Sequence, residues 1–174
     1  PQVQVILVDD GSPEPAEPVV LEHASAALLR HLRLFRIMID IAWNREMARN
    51  LGAQEAATEW IAQLDLDHLL PAVYIPALLD FAPDPFRWYR FPRFRRGQAD
   101  GTRLKDALPR QETFGKIHPH VDSYLVRRAM YWQAGGYSED FSGMLGGGGE
   151  FLARLERTAG PPLLLSPDIC LHVV

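Results

Sequence analysis

Cysteine is almost absent: Cys170 is the only one in 174 residues, so no intrachain disulfide can form. A reducing compartment fits that count. Long apolar runs are missing too. No stretch approaches the ~20 residues of a membrane-spanning helix, and no secretory hydrophobic region opens the chain. Basic excess is lacking: the formal net charge of -4 excludes a global field for nucleic-acid phosphates. The one basic cluster, Arg87 to Arg96, is interleaved with Trp88, Tyr89, Phe91 and Phe94. Its first reading is a strand with one solvated face; its second is a contact for phosphates or lipid headgroups. Internal repeats are not seen. What is present is an ordinary globular composition, 47% hydrophobic and 23% charged, at a length that suits one domain with a real core.

Along the chain, apolar patterning alternates between strand and helix. Val3 to Val8 is a short β-branched run that predicts a buried strand, ending in the turn chemistry of Asp9-Asp10-Gly11-Ser12-Pro13. A helix is expected from about Pro18 to Arg33 and a second strand over Phe35 to Ile41. Asn44 can cap a helix to about Glu59, and Trp60 to Leu64 predicts the third strand, ending at Asp65-Leu66-Asp67-His68. Leu70 to Phe81 reads as helical, with Pro76 a kink point. Phe86 to Phe94 is strand-like, and Arg95 to Lys116 is polar and aperiodic, a long loop or flap. Val121 to Val126 predicts a strand and Arg127 to Ala134 a helix stopped by Gly135-Gly136. Gly146 to Gly149 is expected to be a flexible hinge before a helix from Glu150 to about Arg157, with late strands over Leu163 to Leu165 and Ile169 to Val173. The β-α-β-α-β alternation argues for a mostly parallel sheet with helices on both faces. Ligands in such sheets bind at the carboxyl ends of strands, where Asp9-Asp10 and Asp65/Asp67 both fall.

In an extended Asp65-Leu66-Asp67 both carboxylates point the same way and can approach one divalent cation. Oxygen ligands suit Mg²⁺ or Mn²⁺, and such an ion stabilises a diphosphate as a leaving group. The plain alternative is a solvated loop after a strand. For Asp9-Asp10-Gly11-Ser12 the plain reading is an Asx turn capping the next helix; the functional one is a carboxylate bound to a uracil imide or ribose hydroxyl. One aspartate can cap while the other binds.

The motifs together resemble glycosyltransferase family 2. Val8-Asp9-Asp10-Gly11-Ser12 is similar to its VDDGS signature, and Arg45 to Ala53 (REMARNLGA) to its segment ending in ARN-x-G. Trp60 to Pro71 (WIAQLDLDHLLP) resembles its strand, D-x-D motif and following proline. Tyr124 to Phe141, with Arg127-Arg128 and Gly135-Gly136-Tyr137-Ser138-Glu139-Asp140-Phe141, is similar to its RR…GGYDEDF block. The matches keep the family's order and cover most of the chain. The resemblance implies one GT-A domain over 1–174, with a nucleotide-binding part to about 70 and an acceptor-side part over 71–174. It implies a UDP-, GDP- or TDP-linked hexose donor, UDP foremost, with Mn²⁺ or Mg²⁺, and inverting transfer to a saccharide or lipid-linked acceptor in polysaccharide biosynthesis.

Carried over by position, Asp9 or Asp10 would contact the nucleoside, with Arg45 or Arg49 near the nucleotide. Asp65 and Asp67 would hold the metal-diphosphate, and His172 on a late strand would complete the metal site or else simply pack. His118 and His120 read as structural or acceptor-side residues rather than ligands. Inverting transfer needs a carboxylate base. Relatives carry an acid in an E-D-type motif after a Gly-rich loop, where this chain has Gly146 to Gly149. Glu150, Glu139 and Asp140 are the candidates. Relatives also carry a further strand ahead of VDDGS; it is expected to lie outside this chain or to be lost. The implied location is cytoplasmic, with attachment to the inner membrane face left open. Two other classes stand beside this one: a non-catalytic GT-A-like nucleotide-sugar-binding or assembly module, and, ranked last for want of a Gly-rich basic phosphate loop, a nucleotidyltransferase.

Overall fold

The structure is a computed structural model and describes residues 3–39, 41–96 and 114–173. It divides into two compact units. The first comprises Pro1–Ile61 with Val126–Pro161, the second Ala62–Leu125 with Pro162–Val174.

In the first unit, β1 (Val5–Asp9) pairs in parallel with β2 (Leu32–Arg36), Val5 opposite Leu32 through Asp9 opposite Arg36. The single helix expected over 18–33 is instead two short ones, α1 (Glu17–His23) and α2 (Ala26–Leu29). Ala24 is extended, and the Ser25 side chain accepts from the Leu28 N–H, so the chain recaps rather than continues. The second strand begins earlier than expected because its pairing with β1 fixes the register. The last rung is the Ile37 N–H to the Asp9 carbonyl, and Met38, Ile39 and Ile41 lie exposed beyond it.

Helix α3 (Arg45–Glu55) follows, buried through Glu46, Arg49 and Ala53. Helix α5 (Arg128–Gln133) ends in Gly135 and Gly136, both at positive φ. Helix α6 (Gly147–Ala159) corrects the expected hinge: Gly146 is its N-cap at φ 113, and Gly147 to Gly149 are its first turn. Its buried stripe, Gly147, Phe151 and Leu155, has the spacing of one helix face. The unit's core stacks Tyr137 on Phe151 at 4.5 Å, with Tyr131 5.0 Å from Phe151.

In the second unit, β4 (His68–Leu69), β10 (Leu171–Val173), β6 (Arg93–Arg96) and β7 (Phe114–Ile117) form a sheet in that order. β10 runs antiparallel to β4 and parallel to β6, while β6 and β7 are antiparallel. β5 (Tyr89–Arg90) pairs antiparallel with β8 (Tyr124–Arg127) and parallel with β9 (Leu163–Leu164). β3 (Trp60–Gln63) completes that sheet, of order β3-β8-β5-β9. The described pairings are thus mixed in direction.

The single strand expected over 86–94 divides at Phe91-Pro92, where proline offers no N–H to a ladder. The ends of the expected flap are β6 and β7; residues 97–113 lie outside the described set. Over 70–81 a short 3₁₀ turn precedes α4 (Ile75–Asp80), and Pro76 sits in the first turn of α4 rather than kinking a longer helix. Trp88, Phe91, Tyr124 and Leu171 are the fully buried large side chains of this unit.

Candidate functional site

The Asp9 carboxylate is buried and spent on its own loop. Its Oδ1 accepts from the Gly11 and Ser12 N–H groups at 3.1 and 2.8 Å, and its Oδ2 from Ala16 at 3.0 Å. Burial alone would raise its pKa, but the bonds from Ala16, Ser12 and Gly11 outweigh it and hold the carboxyl below its ordinary value. Arg36 lies 3.5 Å away and donates to the Ser12 carbonyl. Gly11 is required here: at φ 104, a Cβ would stand 2.9 Å from the Ile39 carbonyl oxygen. Asp10 takes no part in this network and is half-buried.

The ARN and GGY motifs meet within the same unit. Asn50 Oδ1 accepts from Tyr131 Oη at 2.8 Å and the Tyr137 N–H at 2.9 Å. Its Nδ2 donates to the Tyr137 carbonyl and to Glu139, both at 2.9 Å. All four hydrogen-bonding positions of the amide are therefore used. Arg49 is buried, its guanidinium 5.0 Å from the Tyr137 ring centre, and Arg45 lies over Trp43 at 5.7 Å. Of the proposed bases, Glu139 is held by Asn50, and Asp140 accepts from the Ser138 hydroxyl at 3.4 Å. Glu150 is gripped by Arg154 through two bonds of 2.6 and 2.7 Å, which hold its carboxyl below the ordinary value.

In the second unit the D-x-D segment is not extended. The His68 N–H donates to the Asp65 carbonyl at 3.1 Å and closes a turn, so the two carboxylates are carried by a turn rather than by extended chain. Asp65 is the more buried of the two, with side-chain exposures of 23% and 66%, and Asp67 Oδ1 lies 4.0 Å from His68 Nε2. The turn instead brings Asp65 to two histidines. Asp65 Oδ2 lies 3.0 Å from His120 Nδ1, the His68 and His120 rings meet edge to face at 4.9 Å, and the three ligand atoms fall within 4.8 Å of one another.

His68 is buried and held on both sides, by Ser123 Oγ at 2.7 Å from Nδ1 and by Arg93 Nη1 at 2.8 Å from Nε2. A guanidinium only donates, so Nε2 accepts and the proton resides on Nδ1, donated to Ser123. Burial first, then His120 and Arg93, lower the His68 pKa against the opposing pull of Asp67. Arg93 also donates to the His118 carbonyl.

One carboxylate and two imidazoles fit a divalent transition ion better than Mg²⁺, which favours oxygen shells. In the structure all three are engaged by protein groups: His120 Nδ1 by Asp65 and the Asp122 N–H, and His68 by Ser123 and Arg93. His172 faces elsewhere. It pairs with Leu69 while Val173 pairs with His68, so strand alternation sets the His172 and His68 side chains on opposite sheet faces. His172 meets Tyr74 edge-on at 6.0 Å. Sequence reasoning passed over His68 although it directly follows the D-x-D, and the pairing of His120 with Asp65 spans a separation that no local pattern reveals. Among the described residues, no helix is long and apolar enough to cross a membrane.

The solved structures to which the chain is similar in fold are GT-A glycosyltransferases. The chain aligns over 99% of its length with S. aureus TarS at 14% identity and TM-score 0.65. It aligns equally far with GalNAc-T7, crystallised with UDP, GalNAc and Mn²⁺, at 15% identity and TM-score 0.68. A mutant Drosophila β1,4-galactosyltransferase 7, in complex with manganese, UDP-Gal and xylobiose, aligns over 95% at 19% identity and TM-score 0.56. The chain spans 51%, 38% and 66% of those structures, respectively. The fold is GT-A. The glycosyl transferase family 2 model matches residues 1–145, and the chain belongs to that family. No protein of curated function matches it in sequence.

Proposed function

We propose that the protein is a metal-dependent, inverting glycosyltransferase that moves a hexose from a UDP-linked donor to a saccharide or lipid-linked acceptor. The observation that carries this reading is the turn joining Asp65 to His68 and His120, in a chain of this family. A divalent ion held there would neutralise the diphosphate as it departs. Asp65 and His120 are its first ligands in this reading, with His68 joining; Asp67 stands beside His68 at 4.0 Å, and His172 lies on the other face of the β4–β10 pair. Asp10 is the carboxylate left for the nucleoside, because Asp9 is committed to its loop. Arg45, the more exposed of the two arginines, is the better placed to reach a nucleotide phosphate.

The test is UDP release by the purified protein from a panel of UDP-hexoses with Mn²⁺, followed by the same assay with Asp65→Asn. Metal-dependent release by wild type, abolished in the variant, is expected. Release that survives in Asp65→Asn would remove the metal assignment. The engagement of Glu150 by Arg154 favours a second reading, a nucleotide-sugar-binding or assembly module without catalysis. Tight UDP-sugar binding with no release from any member of the panel would select it.

A further inference from the structure

The glycine run that opens α6 has a partner on α3. Glu46 is completely buried, and neither of its carboxylate oxygens has a hydrogen-bond partner. The adjacent cation, Arg45 Nη2, stands 3.7 Å from Oε1, too far for a hydrogen bond. A carboxylate left in this state destabilises the fold, and buried polar groups without partners are rare enough that each calls for an explanation, a catalytic role among them. Glu46 also occupies a defined place. A Cβ added to Gly147 would lie 2.4 Å from Glu46 Oε1 and 2.9 Å from its Cγ. The Glu46 carboxylate thus fills the volume that a side chain at position 147 would take, on the same inward face of α6 as Phe151 and Leu155. It does so at the positive end of a 13-residue helix that has no side-chain cap of its own. The three carboxylates that the sequence offered as bases are bonded elsewhere, to Arg154, Asn50 and Ser138.

We propose that Glu46 supplies from α3 the carboxylate that the glycine run of α6 lacks, and that it is the general base of the transfer. This rests on the glycosyl-transfer reading. In the step, the acceptor oxygen forms its bond to the anomeric carbon while the bond from that carbon to the diphosphate oxygen breaks. The hydroxyl proton passes to a Glu46 oxygen, and the electron pair leaves with the nucleoside diphosphate. Gly147 lies against Glu46 at rest, so in this proposal the acceptor reaches the carboxylate when the first turn of α6 shifts aside. Four consecutive glycines put no side chain in the way, and the Cβ position of Gly149 has no heavy atom within 4 Å.

Glu46→Gln keeps the volume and removes the base. With water as acceptor and a UDP-hexose and Mn²⁺ supplied, kcat for UDP release is expected to fall roughly 10²–10⁴-fold. The Kd for UDP with Mn²⁺ stays at the wild-type value, and the thermal midpoint does not fall, because the buried charge is removed. A second pair of variants moves the carboxylate: Glu46→Ala loses the rate, and Glu46→Ala combined with Gly147→Asp recovers at least a tenfold share of it. Unchanged kcat in Glu46→Gln overturns the role of Glu46 while leaving glycosyl transfer intact. A fall in kcat matched by equal losses of UDP affinity and thermal midpoint, without recovery in the double variant, assigns Glu46 to structure alone and overturns it too. Absence of release from wild type defeats the transfer reading itself, and the base with it.

Discussion

Replacing Asp9 with asparagine isolates the loop that β1 delivers. The Oδ2 that accepts from Ala16 at 3.0 Å becomes an amide nitrogen, so a buried N–H meets another donor. Losing one charge-assisted bond of this kind costs about 1.5–3 kcal/mol. The bonds from Gly11 and Ser12 to Oδ1 persist, but as neutral bonds of roughly half the strength. Arg36, a third exposed and 3.5 Å away, adds at most about 1 kcal/mol. The expected loss is about 2–4 kcal/mol, a fall of about 1–2 M in the urea midpoint at pH 7. The pH dependence has a definite sign. The folded pKa of Asp9 lies below the ordinary 3.8, so its contribution is fully present above that value and vanishes as pH falls through the folded pKa. The gap between wild type and variant should therefore be flat above about pH 5 and close below pH 3.8. A variant within about 0.5 kcal/mol of wild type at pH 7 would show that the Asp9 charge does not hold this loop.

Other outcomes follow from single side chains. Asn50→Ala strands the Tyr131 hydroxyl and the Tyr137 backbone, and is expected to destabilise by about 2–4 kcal/mol in the same urea assay. Gly11→Ala forces a β-carbon to 2.9 Å from the Ile39 carbonyl at a positive φ, with an expected loss of about 1–3 kcal/mol. Cys170 is buried, and burial raises its thiol pKa, so it should react with Ellman's reagent only after denaturation. Gly147→Ala, which drives a methyl into Glu46, should lower the thermal midpoint, and Glu46→Ala in the same chain should restore part of it.

Elements with a strong local signal were legible in the sequence. The β-branched run of β1, the Asn44-to-Glu55 helix and the Gly135-Gly136 stop all appear within a few residues of where patterning puts them. What failed depended on partners distant in sequence. β2 starts at Leu32 because β1 dictates its register, which no pattern within 18–41 contains. Gly146 to Gly149 look like a hinge until Glu46, a hundred residues earlier, is seen filling the space beside Gly147. The acidic character at Asp65 was legible, but its companions were not. Periodicity cannot reveal that a turn replaces the extended D-x-D, or that His120 folds back to Asp65. Asp9 shows a limit of another kind: its residue type suits both a cap and a ligand, and only the three N–H groups around it decide for the cap.

The central claim is tested most directly by a crystal structure of the protein with UDP and Mn²⁺. The ion is expected on the Asp65 carboxylate and a His120 or His68 nitrogen, with the diphosphate on its open side. An ion and nucleotide bound away from Asp65, or a nucleotide bound with no ion at Asp65 and His120, would contradict the metal assignment.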